Sequence, residues 1–303
     1  MIQVGIFSGY FPYGLEESAR KIRAAGFNTV QLDLHFKDMD LSAGKITKDK
    51  CVKIRETFRD HNLPISCISG YTNIIHPDQG ERERRVGYLK EILRNARSLG
   101  APYVISETGT YNPDSDWDGH PKNKTAEAFD ECCTAIKNLA QHAYDHGATF
   151  LLETYVNNVI GSVEETLRLF AAVDHPGLGL LMDPTNYYDA RNIDDVDGVL
   201  NKIFDSLSDK IKISHAKDVK PASDKGEKHA DIGDADALES HTFRGVGDIE
   251  LPAPGLGVLN YDLYLKRLHR HHPNIPIIIE HLDEADVPRA KAFLDGKLRA
   301  GGL

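Results

Sequence analysis

The chain has 303 residues, of which 41% are hydrophobic and 27% are charged, and its formal net charge is −10 at pH 7. A chain of this length can bury a large core without disulfides or structural metals, and α/β barrels commonly exceed about 250 residues as one domain. The negative charge disfavours nucleic acids and acidic membrane surfaces as partners, because both repel an acidic protein.

The cysteines and the N-terminal segment indicate a reducing, intracellular setting. The four cysteines, Cys51, Cys67, Cys132 and Cys133, form no CxxC pair and match no zinc-finger or disulfide framework. Residues 1–7 read as a strand and lack the basic and apolar regions of a signal peptide. No apolar run approaches the roughly 18 residues of a transmembrane helix. We therefore expect a cytoplasmic protein with no membrane partner.

Short apolar runs alternate with long amphipathic stretches along the whole chain, which is typical of βαβ units around a parallel sheet. The predicted strands cover residues 2–7, 29–34, 64–69, 103–107, 149–153, 178–182, 211–215 and 275–280. The predicted helices cover residues 16–25, 48–61, 81–99, 125–145, a segment from 162, 196–207, 261–272 and 287–299. Residues 162–165, Ser-Val-Glu-Glu, form a capping-box pattern at the start of the fifth helix.

Eight strands in strict alternation with eight helices predict a single (β/α)8 TIM barrel that spans residues 1–303. A doubly wound open sheet is the alternative. Such a sheet usually carries a GxGxxG loop after its first strand, whereas residues 8–14 read SGYFPYG. Residues 219–259 form a long insertion between the seventh strand and the seventh helix, which exceeds an ordinary βα loop. We expect a lid there, with Arg244 reaching towards a substrate.

Four consecutive predicted strands end in an acidic residue or a histidine: Glu153, Asp183, His215 and Glu280. A charged residue directly after a buried parallel strand lies at the C-terminal rim, where barrel active sites are found. Each of the four could separately cap a loop or pair with a lysine or arginine. Three carboxylates that converge with one imidazole would instead be costly without a counter-charge. We predict that they bind one divalent ion, for which manganese, magnesium, cobalt and zinc are all suitable.

Other polar residues near the predicted rim are candidates for substrate contacts. Lys217 follows His215 closely and could bind a substrate oxygen or pair with a neighbouring carboxylate. Asn186 could donate a hydrogen bond to a substrate hydroxyl. Glu107 ends the fourth strand and could reach the site or only hold the following turn. His35 follows the second strand and could contact substrate or pack as a structural histidine.

The sequence resembles the sugar phosphate isomerase/epimerase family with a xylose-isomerase-like barrel, over nearly the whole chain. The resemblance rests on Leu-Leu-Glu-Thr around Glu153, Met-Asp-Pro-Thr-Asn around Asp183, Ser-His-Ala-Lys-Asp around His215 and Ile-Ile-Ile-Glu-His around Glu280. In the ketose 3-epimerases of this family, these four positions bind the metal and the two glutamates double as the acid/base pair. The resemblance therefore implies one divalent metal ion, with Mn²⁺ favoured, and a small carbohydrate substrate. Many relatives form dimers or tetramers, so a homo-oligomer is compatible with it.

The resemblance implies proton abstraction next to a metal-bound carbonyl, which gives an enediolate. Reprotonation then yields an epimer or an aldose–ketose isomer. β-Elimination after the same first step would make the protein a lyase or dehydratase acting on a keto-sugar or keto-inositol, and a non-catalytic sugar-binding barrel is a further reading. Asn186 departs from the pattern, because the epimerases carry a histidine a few residues after the aspartate ligand. The endonuclease IV family shares this barrel and also carries a histidine after its aspartate ligand, which this chain lacks. The net charge of −10 disfavours DNA as a substrate as well.

Overall fold

The computed structural model describes residues 1–222 and 249–303, together with the backbone of residues 242–244. Its strands are β1 Gln3–Phe7, β2 Thr29–Leu32, β3 Ile65–Ser69, β4 Tyr103–Glu107, β5 Thr149–Glu153, β6 Leu178–Met182, β7 Ile211–Ala216, β8 Lys220–Pro221, β9 Thr242–Arg244, β10 Ile249–Pro252 and β11 Pro276–Ile279. Its α-helices are α1 Leu15–Ala24, α2 Lys48–Asp60, α3 Gln79–Leu99, α4 Ala126–Asp145, α5 Val163–Ala172, α6 Val196–Leu207, α7 Tyr261–His271 and α8 Val287–Gly301. None of these helices is both long and apolar enough to cross a bilayer.

The predicted eight-stranded barrel is confirmed. Strands β1 to β7 pair in chain order, and β11 closes the ring by pairing with both β7 and β1. All of these barrel pairs are parallel, with a helix between successive strands. The bounds of β4, β5, β6 and α6 match the prediction, and other ends differ by one or two residues. Thr125 shows why, because it is the N-cap that accepts a hydrogen bond from the Ala128 N–H rather than the first helical residue.

A separate layer of side chains fills the barrel interior and positions the rim residues above it. One buried residue comes from each of six strands: Cys67, Ile105, Leu151, Leu181, Ile213 and Ile278. Side chains alternate between the two faces of a strand, so the residue two positions later also points into the barrel. For five of the six residues, the residue two positions later is acidic or a histidine: Glu107, Glu153, Asp183, His215 and Glu280. The strand period thus directs all five polar side chains into one space.

The insertion before α7 contains a second sheet, which the sequence prediction of a lid did not include. Strand β10 pairs antiparallel with both β8 and β9. Asp218 holds the two ends of the insertion together, because its Oδ1 accepts hydrogen bonds from the N–H groups of Val219 and Leu259, both at 2.9 Å. Residues 223–241 and 245–248 and the side chain of Arg244 lie outside the described residues. The lid and the substrate contact of Arg244 therefore stay predictions.

Candidate metal site and its cavity

The rim cluster consists of Glu153, Asp183, His215 and Glu280, and His215 lies at its centre. Its Nδ1 is 3.4 Å from Glu153 Oε1, 3.6 Å from Asp183 Oδ2 and 3.4 Å from Glu280 Oε2, and the imidazole is fully buried. Its Nε2 lies 2.9 Å from Gln31 Oε1, an atom that can only accept a hydrogen bond, so Nε2 carries a proton. Nδ1 receives no hydrogen bond from any part of the chain that the structure describes. A buried nitrogen surrounded by carboxylate oxygens is suited to bind a cation.

The predicted metal ligands are brought together in the structure. Glu153, Asp183 and His215 offer ligand atoms that all lie within 4.8 Å of one another. Glu280 is outside this group of three, but its Oε2 lies 3.4 Å from His215 Nδ1. Carboxylate oxygens with one imidazole nitrogen are a donor set for a divalent first-row metal or magnesium. The buried Nδ1 among carboxylate oxygens and the donor types both fit such an ion.

Lys217 supplies the counter-charge to these carboxylates. Its Nζ lies 2.8 Å from Asp183 Oδ2, 3.3 Å from Glu280 Oε2 and 3.5 Å from Glu153 Oε1, and its side chain is only 6% exposed. The sequence left open whether Lys217 pairs with a carboxylate or binds a substrate. The structure shows the carboxylate pairing, and Lys217 also lines the cavity described below.

The pKa values of the two glutamates in the cluster are shifted in opposite directions. Burial favours neutral Glu153, but the charges of Lys217 and His215 outweigh it and lower the Glu153 pKa to about 2. Burial dominates at Glu280 and raises the pKa of that carboxyl. At His215, burial is outweighed by Glu280 and Glu153, which raise the imidazole pKa to about 10. An environment that separates two carboxyl pKa values is typical of acid/base pairs.

Three polar side chains orient the glutamates. Asn186 Nδ2 donates to Glu153 Oε1 at 2.7 Å, and the Tyr71 hydroxyl donates to Glu153 Oε2. Gln31 Nε2 donates to Glu280 Oε1 at 3.0 Å, so Gln31 links this glutamate to His215. Gln31 was not predicted as a site residue, and Tyr71 was a weaker candidate for the rim without a predicted partner. Gln31 carried a detectable signal, because it is a polar residue within the apolar run Thr-Val-Gln-Leu of β2.

We expect Gln31→Leu to weaken metal binding by about 10–100-fold, the usual effect of losing a hydrogen-bond partner of a metal ligand. Leucine keeps the volume but removes the acceptor for His215 Nε2–H and the donor to Glu280. Calorimetric titration of the metal-free protein with Mn²⁺ measures the change. Gln141→Leu, on an exposed part of α4, serves as the control and should leave the affinity unchanged. Equal affinity of both variants and the unmodified protein would show that Gln31 does not support the ligands.

A cavity of about 210 Å³ opens at the same rim. This volume is below the roughly 300–1,000 Å³ of pockets for drug-sized ligands and indicates a small ligand. Its aromatic and aliphatic wall consists of Phe7, Tyr10, Tyr71, Trp117, Tyr155 and Leu251. Its polar lining consists of Glu107, Asp116, Glu153, Asn186, Lys217, Glu280 and His281. Two of the predicted metal ligands therefore face the space in which a ligand would bind.

The model of one protein family, the xylose isomerase-like TIM barrel, matches residues 19–297. The chain belongs to this family. The match spans most of the barrel, including every residue of the rim cluster. A search of curated proteins finds no match to the sequence.

Several solved structures superpose on nearly the whole chain. An L-ribulose 3-epimerase has a TM-score of 0.69 at 16% identity, with 100% of this chain and 96% of that chain covered. A probable 3-DHS dehydratase from Bacillus anthracis also has a TM-score of 0.69 at 16% identity, with 100% and 99% covered. A xylose isomerase-like barrel from Mycobacterium smegmatis in complex with magnesium has a TM-score of 0.68 at 16% identity, with 98% and 95% covered. At these identities the likeness establishes the fold alone.

Of the remaining residues predicted to contact substrate, two line the cavity and one does not. Glu107 is buried and lines the cavity. Asn186 lines it too, although its amide donates to Glu153. His35 is not among the lining residues; its side chain is 86% exposed and its Nδ1 lies 2.7 Å from Asp33 Oδ1. The structure thus places Glu107 and Asn186 in the same cavity as Glu153 and Glu280 and leaves His35 outside it.

Proposed function

We propose that the chain is a divalent-metal-dependent isomerase or epimerase of a small carbohydrate that carries a carbonyl group, with Mn²⁺ as the favoured metal. One observation carries the proposal: Glu153 and Glu280 approach the same nitrogen of His215, each at 3.4 Å, and both line the cavity. Two carboxyl groups on one small cavity can act as a base and an acid on a single bound molecule.

A divalent ion held by Glu153, Asp183, His215 and Glu280 would polarise the substrate carbonyl and stabilise the negative charge that develops on it. The residues then divide the remaining work. One glutamate removes the proton from the carbon next to the carbonyl, and the other returns a proton to give the epimer or the isomer. Asn186 and Tyr71 keep Glu153 in place during the transfer. Lys217, which lines the cavity, would donate a hydrogen bond to a substrate oxygen.

The structurally similar proteins support the same assignment. One is named an L-ribulose 3-epimerase, and another was solved in complex with magnesium. A third is named a probable 3-DHS dehydratase, so the product must be tested directly. Epimerisation and isomerisation keep the substrate mass, whereas elimination removes water.

The test is turnover of a panel of ketoses and keto-cyclitols in D₂O by the Mn²⁺-loaded protein, analysed by mass spectrometry and NMR. We expect an isomeric product with deuterium on the carbon next to the carbonyl, and no product after chelation. An isomer without deuterium would contradict transfer through the two glutamates. A product lighter by one water would replace the isomerase with a lyase. Absence of both exchange and turnover across the panel would favour the non-catalytic reading.

Metal binding should release about one proton per chain near neutral pH. The carboxylates around His215 raise its pKa to about 10, so the metal-free imidazole is charged at pH 7, and the ion must displace the proton from Nδ1. The apparent affinity should therefore rise with pH and level off above about 10. Calorimetry in two buffers with different ionisation enthalpies counts the protons. An identical heat in both buffers would show that His215 is already neutral or does not bind the ion.

A further inference from the structure

Glu107 has a buried carboxyl oxygen that the proposed reaction does not use. Its Cα pairs in register with that of Glu153 on the neighbouring strand, and its side chain points into the barrel two positions after Ile105. The residue is 1% exposed and lines the cavity. Its Oε2 receives no hydrogen bond from the described residues. A polar atom buried without a partner is costly, so its position at a cavity points to a ligand.

The loop that follows β4 contributes Asp116 and Trp117 to the lining of the same cavity. Asp116 is held by Arg85, whose NH1 donates to Oδ2 at 2.5 Å. The Trp117 carbonyl accepts a hydrogen bond from Asn157 Nδ2 at 3.1 Å. The Trp117 ring packs edge-on against Tyr155, with centroids 5.7 Å apart. These contacts hold Asp116 and Trp117 in the lining of the same cavity as Glu107.

The charges on the lining favour an uncharged ligand. Among the described residues that line the cavity, Lys217 is the one lysine or arginine, and it is 2.8 Å from Asp183 Oδ2. Arg85 contacts both Glu81 and Asp116 and does not line the cavity. This part of the chain thus presents carboxyl groups and aromatic faces, which suit hydroxyls and C–H bonds. Apart from Lys217, which is already paired with Asp183, it presents no cation for a phosphate or carboxylate.

We propose that Glu107, Asp116 and Trp117, hereafter the Trp117 wall, bind the closed ring of an uncharged polyhydroxylated substrate, a keto-pyranose or a keto-cyclitol. A ring presents a face of C–H bonds that packs on an aromatic side chain, while its hydroxyls donate to carboxyl oxygens at the edge. A closed ring also loses less conformational entropy on binding than an open chain. This inference rests on the proposed function and specifies its substrate class.

Trp117 is the single tryptophan of the chain, so tryptophan fluorescence reports directly on this wall. The metal-loaded protein is titrated with myo-inositol, with its monophosphate and with sorbitol, an open chain with as many hydroxyls as inositol. We expect a saturable emission change with inositol and roughly tenfold weaker binding of sorbitol. The monophosphate should bind no more tightly than inositol. Equal binding of inositol and sorbitol, tighter binding of the phosphate, or no response to any of them would overturn the inference.

Variants of the wall sharpen the test. Glu107→Ala should weaken inositol binding by roughly tenfold, while Glu107→Gln, which retains hydrogen-bonding atoms and shape, should weaken it less. Asp114→Asn alters an exposed carboxylate in the same loop and should bind inositol normally. Equal affinity of all three variants would remove Glu107 from the site. Ring-selective binding without turnover would overturn the proposed reaction alone, and turnover of an open-chain sugar in the D₂O assay would overturn this inference alone.

Discussion

Replacing Glu280 with glutamine should lower kcat by roughly 10²–10⁴-fold, the range that a positioned acid or base contributes. The amide matches the carboxyl in shape and can still accept the hydrogen bond from Gln31 Nε2, now 3.0 Å from Oε1. It cannot take or give the substrate proton. Metal binding should persist in weakened form, because Glu153, Asp183 and His215 offer three ligand atoms without it.

Steady-state kinetics with metal analysis of the same sample distinguish proton transfer from ligation. Glu284→Gln, four residues later at an ion pair with Lys21, is the matched control and should keep kcat within about twofold. Loss of both metal and activity from Glu280→Gln, with activity restored by excess metal, would make Glu280 a ligand alone. Unchanged kcat in metal-loaded Glu280→Gln would exclude Glu280 from proton transfer.

The barrel could be predicted from the sequence because its strands are buried on both faces. Such strands are short apolar runs, and a charged residue ends the run where the chain reaches the rim. This pattern defined β4 and β5, which end at Glu107 and Glu153, and β6, which ends one residue before Asp183. The same signal located the polar cluster, because the period of two directs these residues to the interior.

The small sheet of the insertion gave no such signal. Strands β8 and β9 have two and three residues, too few for a period of two to be visible. Strand β10 ends at Pro252, a residue that weighs against a strand in sequence. Their pairing therefore depends on the tertiary fold of the loop.

The hydrogen bonds that Gln31 and Tyr71 make to the predicted metal ligands could not be predicted from the sequence, for a different reason. Gln31 and His215 are 184 positions apart, and Tyr71 and Glu153 are 82 apart. Nothing local to Gln31 or Tyr71 indicates which partner it contacts, whereas each predicted metal ligand is marked by its own strand end. The role of Lys217 stayed open in sequence for the same reason, since only the folded rim places its ammonium among three carboxylates.

Lys217→Met should destabilise the metal-free protein by about 3–5 kcal/mol, the usual cost of removing one partner from a buried ion pair. Methionine fills similar space but leaves Glu153, Asp183 and Glu280 with His215 as their one close cation among the described residues. A bound divalent ion adds positive charge at the same oxygens. The variant should therefore gain more stability from metal than the unmodified protein does.

Thermal unfolding with chelator and with saturating Mn²⁺ measures this difference. The melting temperatures of the variant and the unmodified protein should lie far apart without metal and approach each other with it. Lys212→Met, at an exposed position of the same strand β7, should shift neither curve appreciably. If metal-free Lys217→Met were as stable as the unmodified protein, the carboxylates would not depend on the ammonium. The stability of the metal-free protein would then not depend on Lys217, whose role would be to bind the substrate alone.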